Sequence, residues 1–326
     1  MSGISEKPAS APAKILPVMP IRVPEWERYE WLWHGFSTRS GGVSRVYLAD
    51  PEKDAGGDLN LGFTAQDDPE AVRQNRRRFV TALTDNLKTL AIEIPKPGIG
   101  IPGIAMSEIP LALVRQVHSN RSVLVRATDG CLAQPGTVEA DGLMSDEPGK
   151  LIGILTADCI PVMVVDPEHR AVAAFHAGWR GTVERIVELG VGRMRELFGT
   201  DPKQALAAIG PGIGACCYTV GDEVRQRFGE KFSYAEGLFA RSDDGRMMHA
   251  ELRPAELKPA EMRLDLTEAN RRQLIDAGLK PESIVAVGGC TSCQPEKFFS
   301  HRASGGRAGR MMAAIGVCGV YGESAE

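Results

Sequence analysis

The chain has 326 residues, a formal net charge of −4 and a pI near 6.0, a balance that excludes a strongly basic nucleic-acid binder. Hydrophobic residues are 43% and charged residues 25%, the mix of a soluble globular protein long enough to bury a large core. No apolar stretch reaches the roughly 18 residues of a membrane span, and no secretory h-region opens the chain. Seven cysteines, an odd number, read as thiols or ligands in a reducing cytoplasm.

Residues 1–20, polar and rich in Pro and Ala, read as a disordered leader before a single domain over 21–322. Trp31 to Ser37 (WLWHGFS) reads as a strand ending in the turn TRSGGVS, and residues 49 to 60 as a loop. Asp67-Asp68-Pro69 opens a helix with Val72, Phe79, Val80 and Leu83 on one side. Arg76, Arg77 and Arg78 on it read as a solvated face. Residues 93 to 110 hold four prolines and three glycines, which predicts an inserted loop.

From Leu111 the pattern changes. LALVRQV and SVLVRAT predict two short strands around a kink at His118. LIGILT, PVMVVD and AVAAFH predict three more strands, separated by ADC and by the turn DPEHR. The spacing of Val183, Ile186, Val187, Val191, Met194 and Leu197 predicts one helix through WRGTVERIVELGVGRMRELFG, stopped at Gly199. QALAAIG, SIVAVG and MMAAIGV complete the strands, and Asp265 caps a helix that ends at Gly278. Residues 227 to 262 read as irregular. Strands and helices alternate without a regular βαβ rhythm, so the fold class is α/β, or α+β, with a mixed sheet.

His118, Cys159 and His176 sit in three polar, glycine-punctuated segments, RQVHSN, LTADCIP and FHAGWRG, each at the edge of an apolar strand. Two imidazoles and a thiolate suit zinc, and three protein ligands leave one position open for catalysis. Their separations of 41 and 17 residues match no zinc-finger knuckle, so spacing alone also allows a buried thiol and two hydrogen-bonded imidazoles. Asp158 could take up a proton or orient a ligand His, or simply form the turn. Arg180 and Arg39, both beside glycines, are candidates for gripping an anion. Adjacent Cys216 and Cys217 are poorly placed to chelate one metal from one face, and CTSC (Cys290, Cys293) lacks a second CxxC. Tyr218 and Phe298 could stack on a base or simply pack.

Taken in order, FSTRSGGVS, LNLGF, NRRRF, RQVHSN, ADGLMS, LTADCIPVMVVD, FHAGWRGTVE, AIGPGIGACCYTVGDEV, LDLTEANRRQL, CTSC and FFSHRASGGRAGRM resemble one family. It is the multicopper polyphenol oxidase, or laccase-domain, family, also called the peptidoglycan editing factor family. The likeness runs from about Trp33 to Gly316. It implies a layered α/β/β/α sandwich and a zinc-dependent purine nucleoside phosphorylase with adenosine deaminase side activity. Adenosine, inosine, guanosine or methylthioadenosine, with phosphate, would be the substrates.

The resemblance places the metal ligands on His118, Cys159 and His176. For that chemistry the residues offer Asp158 and Arg180 as catalytic candidates, and Arg39, Gln116, Arg180, His301 and Arg302 for substrate or phosphate contacts. Copper is possible at the trio, since copper(II) binds most nitrogen and sulfur sites more tightly than zinc. A true multicopper oxidase needs more imidazoles than the six His present, none of which are two apart. A cysteine hydrolase acting on cell-wall precursors is the remaining alternative, with Cys159 as nucleophile.

Overall fold

A computed structural model describes residues 16–50, 56–84, 109–126, 130, 136–241 and 262–319. The bulk of the leader (1–15) and of the Pro/Gly-rich insert (93–108) lie outside the described residues.

Two mixed sheets form the centre. In the six-stranded sheet the order is Ile284–Ala286, Leu206–Ile209, Ile160–Asp166, Ala171–Ala177, Gly142–Ser145, Ser122–Leu124. Its two outer pairings are parallel and the inner ones antiparallel. The four-stranded sheet runs Leu32–Phe36, Met311–Val317, Lys150–Thr156, Leu111–Ala112, antiparallel except for the last pair. The three long central strands of 150–177 are buried on both sides, which explains their near-continuous apolar runs.

Strand alternation divides these side chains between layers. Met163, Val165, Val172 and Ala174 share one cluster with Ile152, Ile154, Ala313 and Ile315, so the two sheets pack face to face. Ile160, Val162, Val164 and Phe175 point the other way, onto helix residues Ile186, Val191, Met194 and Leu274. On the far side of the smaller sheet, Leu151, Met312 and Ala314 pack on Phe79, Val80 and Leu83. The layers therefore run α/β/β/α, as the sequence resemblance implies.

The helices begin and end largely where their caps place them. Pro69–Thr84 starts after Asp68, whose carboxylate accepts from the Glu70 amide at 3.0 Å. Asp265 accepts from the Glu268 amide at 2.8 Å and opens Leu266–Asp276, with Gly278 following at φ +105°.

Three expectations need correction. The helix read through 179–199 is two helices, Trp179–Val183 and Ile186–Phe198, because Arg185 takes a left-handed φ of 61° between them. The stretch read as irregular from residue 227 contains the end of helix Asp222–Lys231, which buries only Val224 and Phe228 and so has too thin an apolar stripe to read. Two of the three consecutive arginines are half-buried and tied to the backbone rather than lying free on a solvated face: Arg76 donates to the Leu61 carbonyl, and Arg78 to the carbonyls of Gly41 and Leu16. Burial alone holds Arg76 down at about 10.

Candidate metal centre

Cys159 immediately precedes strand Ile160–Asp166, and His176 lies in the antiparallel neighbour, opposite Pro161. His118 comes from the crossing between the two sheets, where its φ of 61° makes the kink. One donor atom from each residue can be chosen so that all lie within 4.8 Å of one another. The His118 and His176 rings meet edge-on, centroids 4.9 Å apart, and Cys159 Sγ is 3.9 Å from His118 Nε2. Tetrahedral zinc, bonded to nitrogen at about 2.0 Å and to sulfur at about 2.3 Å, separates its ligand atoms by about 3.5 Å, so the trio is close to coordinating geometry.

Asp141 builds this arrangement, and sequence reasoning missed it. Its carboxylate, fully buried, accepts from the amides of Val117 (3.1 Å), His118 (3.0 Å) and Ser119 (2.6 Å) and from the Ser119 hydroxyl (2.8 Å). The same carboxylate takes His176 Nδ1 at 2.8 Å, which leaves Nε2 to face the other donors. Burial alone would raise the Asp141 pKa, but the hydrogen bonds from His176 and Ser119 outweigh it and hold it at about 2.

Burial also pushes the Cys159 thiol up, yet the facing His176 and His118 overcome this and lower it to about 6. His176 is raised to about 9, burial notwithstanding, by Cys159 and Asp141. Both shifts favour a thiolate beside a positive imidazole, and a thiolate is the form of Cys that binds metal. Gly178 completes the fit, since a Cβ there would meet Cys159 Sγ at 2.9 Å and His118 Cδ2 at 3.1 Å. The donor set, its anchored tautomer and this clearance suit a metal ion with an N2S ligand set.

The trio opens on a cavity of about 440 Å³ whose lining includes Phe63, Thr64, Gln116, Leu155, Ala157, His301 and Arg310. Phe63 stands at its mouth, 55% exposed, with the Arg76 guanidinium 4.5 Å from its ring centroid. Nothing in LNLGF marked it beyond an aromatic beside a glycine.

The other sequence candidates divide. His301 lines the cavity. Arg180 is exposed on the short helix after His176, 4.5 Å from the Trp179 ring. Arg302 lies 5.3 Å from the Tyr218 ring, and its guanidinium also donates to the Thr219 carbonyl. Tyr218 is pushed up to about 12 by burial and the Cys159 charge, against the Arg302 and Arg180 charges.

Asp158 is strained at φ 89°, and its two oxygens accept from the Thr291 hydroxyl (2.6 Å) and the Arg302 amide (2.7 Å). Asp158 therefore pins loops, and Asp141 is the carboxylate on the imidazole. Gln116 faces the cavity, but its amide clamps the Leu155 backbone in both directions, at 2.7 and 2.8 Å.

Arg39 departs furthest from expectation. It is outside this cavity, paired bidentately with Asp58 at 2.6 and 2.9 Å and donating to the Pro295 and Tyr47 carbonyls. Phe298 is fully buried in an apolar cluster, a packing residue rather than a stacking platform.

Known proteins carry the same frame. Purine nucleoside phosphorylase YlmD of Geobacillus stearothermophilus is 35% identical over 286 residues, covering 86% of this chain and 89% of that one. Adenosine deaminase RL5, from an unknown prokaryotic organism, is 34% identical over 209 residues, 63% of this chain and 74% of that one. The crystal structure of the Bacillus licheniformis hypothetical protein YfiH superposes with a TM-score of 0.70 at 29% identity, covering 94% and 97% of the two chains. The family model described as multi-copper polyphenol oxidoreductase laccase matches residues 33–93 and 102–318, and the chain belongs to that family.

Proposed function

We propose that the chain is a zinc-dependent purine nucleoside phosphorylase, cleaving adenosine, inosine, guanosine or methylthioadenosine with phosphate, and deaminating adenosine as a side activity. The observation that carries this reading is the convergence of His118, Cys159 and His176 at a cavity whose wall also holds His301 and Arg310. The phosphorylase and deaminase names of the relatives support it.

His118, Cys159 and His176 would hold the ion, which when bound supplies Lewis acidity inside a partly enclosed cavity. Asp141 fixes the His176 tautomer, so the ring meets the cation without rotating. Arg302, beside the Tyr218 ring, and the exposed Arg180 offer guanidiniums to an incoming phosphate, with the His301 ring and Arg310 in the cavity wall. Phe63, 55% exposed in the cavity wall beside the Arg76 guanidinium, offers a ring for a purine to stack on.

Purified, zinc-loaded protein is to be incubated with inosine or adenosine and inorganic phosphate, and the products separated by chromatography. Free base with ribose-1-phosphate is the expected result, with ammonia as a lesser product from adenosine. Release of neither base nor ammonia refutes the reading.

One observation favours a cysteine-nucleophile alternative: a Cys159 thiol held near 6 beside two imidazoles. Metal analysis of Cys159→Ala separates the two, because a nucleophile can be lost without loss of zinc whereas a ligand cannot.

A further inference from the structure

Four cysteines that the sequence keeps 73 residues or more apart as two pairs meet in space. One sulfur each from Cys216, Cys217, Cys290 and Cys293 all lie within 4.8 Å of one another. Neither objection drawn from the sequence survives the structure. Residues 215–217 form a turn, with the Cys217 and Tyr218 amides both donating to the Gly214 carbonyl, so adjacent side chains can converge where a strand would splay them. The missing partner for CTSC is this CC turn.

We propose that Cys216, Cys217, Cys290 and Cys293 form a second metal site, a tetrathiolate zinc that clips two loops together and takes no part in the chemistry. Zinc bonded to four sulfurs at about 2.3 Å sets them roughly 3.8 Å apart. Cys293 Sγ lies 3.4 Å from Cys216 Sγ and 3.3 Å from Cys217 Sγ, so small adjustments reach that geometry. A disulfide from Cys293 could use only one of these equivalent neighbours, and would leave two further thiols crowded against it. A polynuclear iron–sulfur cluster needs its thiolates spread around several metal atoms, which a single close-packed quartet does not provide.

The surroundings match a thiolate site. The Gly214 amide donates to Cys290 Sγ at 3.2 Å, a hydrogen bond that stabilises a sulfur carrying negative charge. The two loops are already in register, through the Gly212–Cys290 bridge and the Thr291 amide on the Gly212 carbonyl at 2.9 Å. The clip would act at a distance on the first site. Thr291 follows Cys290 and holds Asp158, which precedes the ligand Cys159, while Tyr218 follows Cys217 and faces Arg302.

The test counts zinc by mass spectrometry of the full-length, reduced protein, alongside free thiols. The native chain should carry about two zinc ions, and the His118→Ala/Cys159→Ala/His176→Ala variant about one. That variant, refilled with cobalt(II) alone, should show the intense visible bands of a tetrahedral tetrathiolate. Cys290→Ser/Cys293→Ser should lose one ion; should it fail to fold, the triple variant, which keeps all four cysteines, still decides. A triple variant that holds neither zinc nor a cobalt spectrum overturns the proposal, as does peptide mapping that finds Cys293 disulfide-bonded in the native chain. The result is independent of phosphorolysis, since an inactive protein can still retain this second ion.

Discussion

Asp141 holds His176 at two points: its carboxylate meets the ring Nδ1 at 2.8 Å, and its backbone carbonyl accepts the His176 amide at 2.7 Å. The same carboxylate gathers three consecutive amides around His118. One buried residue thus fixes two of the three donors, although it offers no donor atom to the trio itself.

Asp141→Asn tests this. An amide of the same shape turns one acceptor into a donor, facing either N–H groups or the His176 ring. Zinc affinity should fall by about 10- to 100-fold, the usual effect of losing such a support. Competition against a chromophoric chelator measures it. Unchanged affinity would show that the imidazole is oriented without Asp141.

Gly178→Ala separates metal fit from folding. Gly178 has φ −69° and ψ 167°, which any residue adopts, so the backbone bears no strain. The added Cβ nonetheless presses on Cys159 Sγ and His118 Cδ2, and must push the donors apart. Zinc occupancy should drop at least ten-fold at limiting metal, while the melting temperature of the metal-free protein stays within a few degrees of native. A variant that binds zinc normally would mean that the donors move freely.

Much of this was readable in the chain. The long apolar strands of 150–177, the capped helices and the His118, Cys159 and His176 trio that the fold brings together each carry a local signal: a run, a cap, or a polar residue at a strand edge. The missed features are those whose meaning is set at long range. Asp141 in ADG carries no local signal, and its role shows only when five donors from distant residues are seen to converge on it. Arg39 beside glycines looks like an anion grip until Asp58, on a neighbouring strand, occupies its guanidinium. Cys216 and Cys290, 74 residues apart, have no sequence relationship until the loops pair. The break at Arg185 was hidden because apolar spacing continues across it and only the backbone turns.

A pH prediction rests on His34, buried to 1% exposure, whose Nε2 accepts the Val23 amide at 3.0 Å. Burial first, then the Arg22 charge, lowers its pKa to about 4, and the Val23 N–H on Nε2 likewise favours the neutral ring. Between pH 6.5 and 4 the unfolded chain is therefore protonated at His34 and the folded chain is not. Stability is full above 6.5 and is lost as pH falls, by about 3 kcal/mol once pH 4 is passed. Urea unfolding at pH 7.5 and 4.5 measures the drop. His34→Gln, which can still accept from Val23 but does not titrate, should lose less over that interval; an equal loss would assign the effect to other groups.

Phe63→Ala addresses the substrate side. Phe63 is 55% exposed, so its removal should cost little stability, within about 0.5 kcal/mol. Stacking on a purine is worth about 1 kcal/mol beyond simple burial, and this would act on bound substrate and transition state alike. Steady-state assays with inosine and phosphate should then show KM raised about 3- to 10-fold with kcat nearly unchanged. A fall in kcat at constant KM would point instead to Phe63 ordering the metal pocket. That outcome is distinguishable, because it should bring a matching loss of zinc, whereas a stacking platform can be removed with both sites fully loaded.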